Sequence, residues 1–318
     1  MVALVLYVDF SYDNSVRMAV AALGERPPNA RLYHCASLDD LDGALHNFLE
    51  GVDNPPLTGA AFSICGWERD GVFEMPNHAY RIDRSWIRRR LGVSRLNLVN
   101  DCVALSLAIG RLEVSERYLI CGRAGDPLQT KAVIAIGRGL GTTAIIADDL
   151  GASMPLVLPC AGGFSDLPST TDREYAVTRQ LRGKYGQALR LHAVSTSGLS
   201  DVYGALRVLD GHPDIAWEVH YILGLARKGD DIANEAIALV TGWLAATASD
   251  MTLSLGAWGG VFLAGSFFDL LGELFDPDAF AVRFTDKGRY LAHLQDTPVH
   301  LVKTHQPEML GLSTLFDL

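Results

Sequence analysis

Residues 96–110 read LNLVNDCVALSLAIG, and the parsing of this stretch decides the fold. Leu96 to Val99 read as a buried strand, Cys102 to Ile109 as an apolar helix, and Asn100 and Asp101 stand at the join. A carboxylate in such apolar surroundings has two roles open to it. Asp101 caps the helix by accepting from its first backbone N–H groups. Alternatively it belongs to a ligand site, because open α/β sheets bind ligands beyond the carboxyl ends of their strands.

The segments upstream repeat this grammar. "ALVLYVDF" and "VRMAVAAL" are apolar runs rich in β-formers on either side of the turn "SYDNS", and "RLYHCA" is a third strand. "LDDLDGALHNFLE" carries Leu38, Leu41, Leu45, Phe48 and Leu49 at helical spacing. A strand, "GAAFSIC", and a short basic helix, "DRSWIRRRLG", lead into residues 96–110. This order predicts an α/β fold whose mixed sheet has a parallel part. After the polar connector "CGRAGDPLQT" the pattern starts again, with "AVIAIG" and "TTAIIADD" as strands about the turn "GRGLG". That is a weak internal repeat of pattern, not of residue identity. Helices dominate from "TDREYAVTRQLRGKYG" to "NEAIALVTGWLAATASDMTLSLG", followed by the strands "GVFLAG" and "TPVHLVKT" and a final helix, "PEMLGLSTLF".

Composition bounds the function. A chain of 318 residues exceeds the size at which single cores stop growing, about 250–300 residues, so two domains are expected. The 49% hydrophobic and 20% charged residues describe a globular protein. A net charge of −10 excludes partners that want a basic face, so neither nucleic acid nor membrane is expected. Five cysteines without a C-x-x-C pair read as reduced, mostly buried thiols, and nine histidines without ligand spacing predict no structural metal. "MVALVLYVDF" reads as a strand and not as an export signal, and no segment is read as a membrane span, which predicts a cytoplasmic protein.

Two glycine-rich stretches carry further signals. In "IGRGLGTT", Gly137, Gly139 and Gly141 form either a phosphate cradle or an ordinary hairpin, and Arg138 suits phosphate oxygens or a solvated turn equally. In "GGVFLAGS", Gly260 and Gly265 permit the close approach of a flat ligand or simply close packing.

Taken together and in this order, the motifs resemble the bacterial glucokinase family of the actin and hexokinase superfamily. "NLVNDCVALSLAI" is similar to the family segment whose Asn-Asp pair holds the sugar and supplies the catalytic base. "MPNHAY" is similar to its Asn-His-x-Trp stretch with Tyr80 for Trp, "SLGAWGGVFLAGS" to its adenosine segment, "FTDKGRY" to its Asp-Lys-Gly-Arg turn and "PEMLGLSTL" to its closing helix. The resemblance implies a two-domain actin/hexokinase (ribonuclease H-like) fold with an inter-domain cleft. A small α/β domain, 1–108, would be joined by the C-terminal helix at about 303–318, and a large α/β domain would span 109–302. It implies Asp101 as catalytic base and sugar contacts from Asn100, Asp101, Asn77 and Gly163. Nucleotide contacts would come from Asp9, Asn14, Gly137, Arg138, Gly139, Gly141, Gly260 and Gly265. ATP and Mg2+ are the implied cofactors, a sugar or sugar-like molecule the partner, and a homodimer the assembly.

The departures from the family pattern fall on the chemistry. The family's Asp-x-Gly-Gly-Thr-Asn is here Asp9-Phe10-Ser11-Tyr12-Asp13-Asn14, without either glycine and with an added negative charge. Its Pro-Gly-Glu-Gly-Gly-His is Pro159-Cys160-Ala161-Gly162-Gly163-Phe164, and a further family Glu falls near Leu191. Three polar sugar ligands thus become apolar. The expectation is an ATP-dependent hexose 6-phosphotransferase of impaired or altered activity, or else an inactive binding or regulatory protein.

Overall fold

The computed structural model describes residues 3–12, 14–75, 78–123, 125–147 and 155–317, leaving aside the side chains at positions 11 and 12. The chain divides into two compact units, one of Met1–Glu113, Leu150–Val157 and Thr304–Leu318, the other of Val114–Asp149 and Leu158–Lys303. In chain order the first unit begins with β1 (Leu4–Tyr12), β2 (Ser15–Ala22), β3 (Arg31–His34), α1 (Leu38–Glu50) and β4 (Leu57–Ile64). A small sheet follows, of β5 (Trp67–Arg69), β6 (Val72–Glu74) and β7 (Ile82–Asp83), then α2 (Arg84–Leu91), β8 (Arg95–Asn100) and α3 (Asp101–Ala108). The second unit contains β9 (Arg117–Cys121), β10 (Lys131–Ile136), β11 (Leu140–Ile145), β12 (Val157–Cys160), α4 (Asp172–Tyr185), α5 (Thr196–Leu209), α6 (Val219–Ala226) and α7 (Asp231–Leu255). It continues through β13 (Gly260–Ala264), α8 (Ser266–Leu271), α9 (Pro277–Thr285), α10 (Leu291–Asp296) and β14 (Val299–Val302), and α11 (Pro307–Thr314) returns to the first unit.

In the first unit the sheet order is β3-β2-β1-β4-β8, with β1, β4 and β8 parallel and β2 antiparallel to β1. Every residue of β1 from Val5 to Phe10 is buried, because both faces of this central strand are covered. Leu6, Val8 and Phe10 pack with Leu41, Leu45 and Phe48 of α1. Val5 and Tyr7 pack with Ala104 of α3 and with Met309, Leu312 and Phe316 at α11. Double coverage explains why "ALVLYVDF" runs continuously apolar. Strand alternation places Asp9 on the Val5–Tyr7 face, under the two helices.

α3 and α11 touch at a glycine. A Cβ on Gly311 would lie 1.7 Å from the carbonyl oxygen of Ala104, so the contact admits no side chain. The far end of α11 is anchored where β4 and β8 begin: Arg95 Nη2 donates to the Leu315 carbonyl at 2.9 Å, and a Cβ on Gly59 would meet the Phe316 ring at 2.6 Å.

The second unit is built on a sheet of order β12-β11-β10-β13-β14-β9, in which β10, β13 and β14 run parallel. Its core gathers about α7, where Trp243, Leu244 and Ala248 are buried. α7 corrects one expectation: it is long and apolar enough to cross a membrane by length and composition, with mean hydropathy 1.3, but 72% of that window is buried inside the fold. β5 to β7 and β9 have no counterpart among the sequence expectations. They are short or poorly buried, with Trp67, Tyr118 and Leu119 exposed, and so lack an apolar alternation.

Candidate active site

β8 ends in extended backbone at Asn100, and the chain then turns into α3. Asn100 Oδ1 accepts from the Cys102 N–H at 2.9 Å, and its Nδ2 donates to the Gly66 carbonyl at 3.0 Å. Asn100 is therefore the helix cap, and Asp101 is the first helical residue. Asp101 is half-buried, with Oδ1 also 2.9 Å from the Cys102 nitrogen. Burial pushes its carboxyl up to a pKa of about 6, against the Cys102 hydrogen bond and with help from the charge of Asp9. The thiols of Cys65 and Cys102 lie near this carboxylate and oppose the rise in its pKa. Neither is a ready nucleophile, since burial pushes Cys65 up to about 12 and Cys102 well above its ordinary value. All five cysteines are free, but only Cys35 is fully buried, which corrects the expectation of mostly buried thiols.

Asp9 is fully buried, paired across the β1–β2 ladder with Arg17, whose Nη1 lies 4.0 Å from Asp9 Oδ2. Ser63 stands opposite Asp9 on β4, also fully buried, and its Oγ has no hydrogen-bond partner among the described residues. The structure adds a carboxylate that sequence reading missed, Glu308 in the first turn of α11. Burial holds its carboxyl well above the usual carboxylate range, the charges of Asp9 and Asp101 add to that, and its own backbone N–H and Arg17 oppose it. The signal was present in "PEM", an acid one residue inside a Pro-led helix start.

In the second unit the β10–β11 hairpin carries Gly137, Arg138, Gly139 and Gly141. Its tip is braced by α5, with Thr196 N–H donating to the Gly137 carbonyl at 2.8 Å and Ser197 Oγ to the Arg138 carbonyl at 3.4 Å. The glycines divide into two kinds. A Cβ on Gly265 would lie 2.1 Å from the Ile136 carbonyl oxygen, and one on Gly163 2.3 Å from that of Leu140. Packing alone demands glycine there. At Gly139 a Cβ would meet nothing within 4 Å, and at Gly137 only Ser266 Oγ at 3.7 Å. Packing does not require glycine at those two, as it does not at Gly43, Gly110 or Gly183, where a Cβ would also meet nothing within 4 Å.

Other expected residues fall elsewhere. Gly260 pairs with Lys131 at the start of β10, whereas the hairpin lies at its far end, so Gly260 is not brought to the loop. Its φ is 122°, and a Cβ there would lie 3.0 Å from Pro298. Asn14 sits near the β1–β2 turn with φ of 48°, its carbonyl accepting from Cys35 N–H. Asn77 and Asp13 lie outside the described residues. The loop of Cys160 to Phe164 joins the hairpin through Thr142 Oγ1, which donates to the Cys160 carbonyl and accepts from Gly162 N–H at 2.8 Å. Phe164 is 68% exposed. Leu191 packs against the core of its unit. Lys287 of the "TDKGRY" turn is ion-paired with Asp250.

Comparison with known proteins defines the class and then the family. A glucokinase from an Antarctic psychrotroph superposes with a TM-score of 0.86 at 21% identity over 99% of both chains. A Balamuthia mandrillaris glucokinase solved in complex with glucose gives 0.81 at 17% identity, covering 99% of this chain and 93% of its own. The fold is that of actin and hexokinase, in the version shared with sugar kinases. In sequence, the pattern of the family described as Glucokinase matches residues 14–318. A glucokinase-like protein of Caulobacter vibrioides is 35% identical over 300 residues, 94% of this chain and 92% of its own. The glucokinase of Pseudomonas paraeruginosa is 31% identical over 291 residues, 91% and 85%. The chain belongs to the glucokinase family, as a divergent member.

Proposed function

We propose that this protein transfers a phosphoryl group from ATP to a hydroxyl of a sugar-like acceptor that is not glucose, with Asp101 as the base. The observation that carries the reading is the Asp101 carboxylate itself, the first residue of α3 at a strand end, which burial raises to a pKa of about 6 although it shares the Cys102 N–H with the capping Asn100. A base poised there accepts a hydroxyl proton near neutrality while still ionised. Gly137 and Gly139, which packing does not require to be glycine, are the residues that would receive the nucleotide phosphates. The nucleotide would supply the phosphoryl group. Among the described residues no three His, Cys, Asp or Glu are arranged to hold a metal, so Mg2+ would arrive on the phosphates, its usual mode of binding.

Glucose is a poor fit on chemical grounds. Hydrogen bonds to charged partners contribute roughly 1.5–3 kcal/mol each and neutral ones about 0.5–1.5. Replacing two carboxylates and an imidazole by Ala161, Leu191 and Phe164 forfeits on the order of 4–7 kcal/mol, about a 10³- to 10⁵-fold weaker complex. The second reading, a binding or regulatory protein without catalysis, draws on the same three residues. A screen of ADP release from Mg-ATP over hexoses, deoxy sugars and amino sugars tests the proposal. Turnover with an acceptor other than glucose, abolished by Asp101→Asn, supports it; absence of Asp101-dependent turnover across the panel favours the second reading.

A further inference from the structure

One carboxyl beside Asp101 has no part in the phosphoryl transfer as proposed. Glu308 reaches that neighbourhood by the run of its helix. Leu315 and Phe316, which directly follow α11, lie beside Arg95 and Gly59, near the starts of β8 and β4. Glu308 lies six residues before the end of the helix and eight before Phe316, a rise of roughly 9–12 Å. Four residues along β4, from Gly59 to Ser63, is a rise of about 13 Å. Glu308 therefore stands level with Ser63 and its register partner Asp9, at the carboxyl ends of the parallel strands. The Gly311–Ala104 contact aligns the two helices, and one turn before it on each lie Glu308 and Asp101.

We propose that Glu308 completes the Asp101 site as a neutral carboxylic acid, and that loss of its proton shuts the site down. The inference rests on Asp101 as the base, and it adds a charge-setting residue to it. The groups that face Glu308 are Asp9 on β1, Arg17 on β2, Asp101 and Cys102 on α3, and its own backbone N–H. Cys65, past the end of β4, faces Asp101 beside them. An ionised Glu308 would add a third carboxylate charge beside those of Asp9 and Asp101, with Arg17 reaching Asp9 and Glu308. A protonated Glu308 leaves Asp9 and Asp101 charged and the site able to receive an anionic phosphoryl group. The proton taken by Asp101 comes from the acceptor hydroxyl, and the proton on Glu308 stays where it is. Burial and the like charges favour that state.

The test compares wild type with Glu308→Gln, whose amide copies the neutral acid. Thermal midpoints measured from about pH 5 to pH 9 should coincide at the acid end, and the variant should become the more stable one toward alkaline pH, because only wild type loses a bound proton. Infrared spectra at neutral pH should show a protonated carboxyl band in wild type that the variant lacks. Asp101→Asn, which removes a neighbouring charge, should move the titration of that band to lower pH. With an acceptor that is turned over, Glu308→Gln should extend the alkaline limb of kcat/KM. Parallel stability curves and an unchanged carboxyl band would overturn the neutral acid, and an unchanged alkaline limb would overturn its control of the site. If no acceptor is turned over, the sugar-kinase reading fails while the stability and infrared results still decide the state of Glu308.

Discussion

Asn100 and Asp101 share one donor at the start of α3: the Cys102 N–H lies 2.9 Å from Asn100 Oδ1 and 2.9 Å from Asp101 Oδ1, while the Asn100 amide nitrogen donates to the Gly66 carbonyl. Asn100 is the helix cap and also ties the join to Gly66, while Asp101 adds a charge beside the same N–H. Asn100→Ala should cost about 1 kcal/mol of stability, the usual loss for an N-cap, whereas Asn100→Asp should retain most of it. Urea unfolding of the two variants measures this. Equal losses would show that the cap is not what Asn100 supplies.

Asp101 itself should work against stability near neutral pH. Its folded-state pKa is raised from the ordinary value to about 6, so its neutral form is favoured by folding. Its contribution is full below the unfolded value and is lost as pH rises through about 6. Asp101→Asn should therefore match wild type at acid pH and exceed it above about pH 6, by on the order of 1–3 kcal/mol. Chemical denaturation at both ends of that window checks the sign. A variant less stable than wild type at neutral pH would contradict it.

The two kinds of glycine separate under substitution. Gly265→Ala should destabilise strongly, because its φ of 111° and the nearby Ile136 carbonyl both exclude a side chain. Gly139→Ala should change stability by less than about 0.5 kcal/mol and should weaken Mg-ATP binding about tenfold, or 1.4 kcal/mol. Calorimetry on both variants distinguishes a packing glycine from a ligand glycine. Unchanged nucleotide affinity in Gly139→Ala would remove the argument for a cradle.

Much of the fold was legible because its strands are buried on both faces and read as unbroken apolar runs. β1 is the clearest case, and the Asn100–Asp101 junction follows from it. The site was legible only where local sequence determines the role. Asp101 was found, but its sharing of the Cys102 N–H with Asn100 depends on how both side chains turn, which no pattern encodes. Glu308 was passed over because its position comes from α11 lying on α3, a long-range packing made through Gly311. Gly260 and Gly265 look alike in "GGVFLAG", and only the strand register puts them at opposite ends of β13.

The first hairpin should limit the nucleotide. Tyr12 adds bulk and Asp13 a negative charge where the family carries glycine and threonine. Like charges a few ångströms apart cost on the order of 1–4 kcal/mol, depending on exposure. Ser11→Gly, Tyr12→Gly and Asp13→Thr together should tighten Mg-ATP binding by at least tenfold. Low-micromolar affinity in the unaltered protein would contradict this.

The central claim is that the Asp101 base survives in a site that glucose no longer fits. It is tested most directly by a coupled assay of glucose 6-phosphate formation at millimolar glucose, run beside Asp101→Asn. The account predicts that the two proteins give the same background rate. Ordinary turnover in wild type that disappears in Asp101→Asn would contradict it, and would mean that other residues bind the sugar hydroxyls that Ala161, Phe164 and Leu191 cannot.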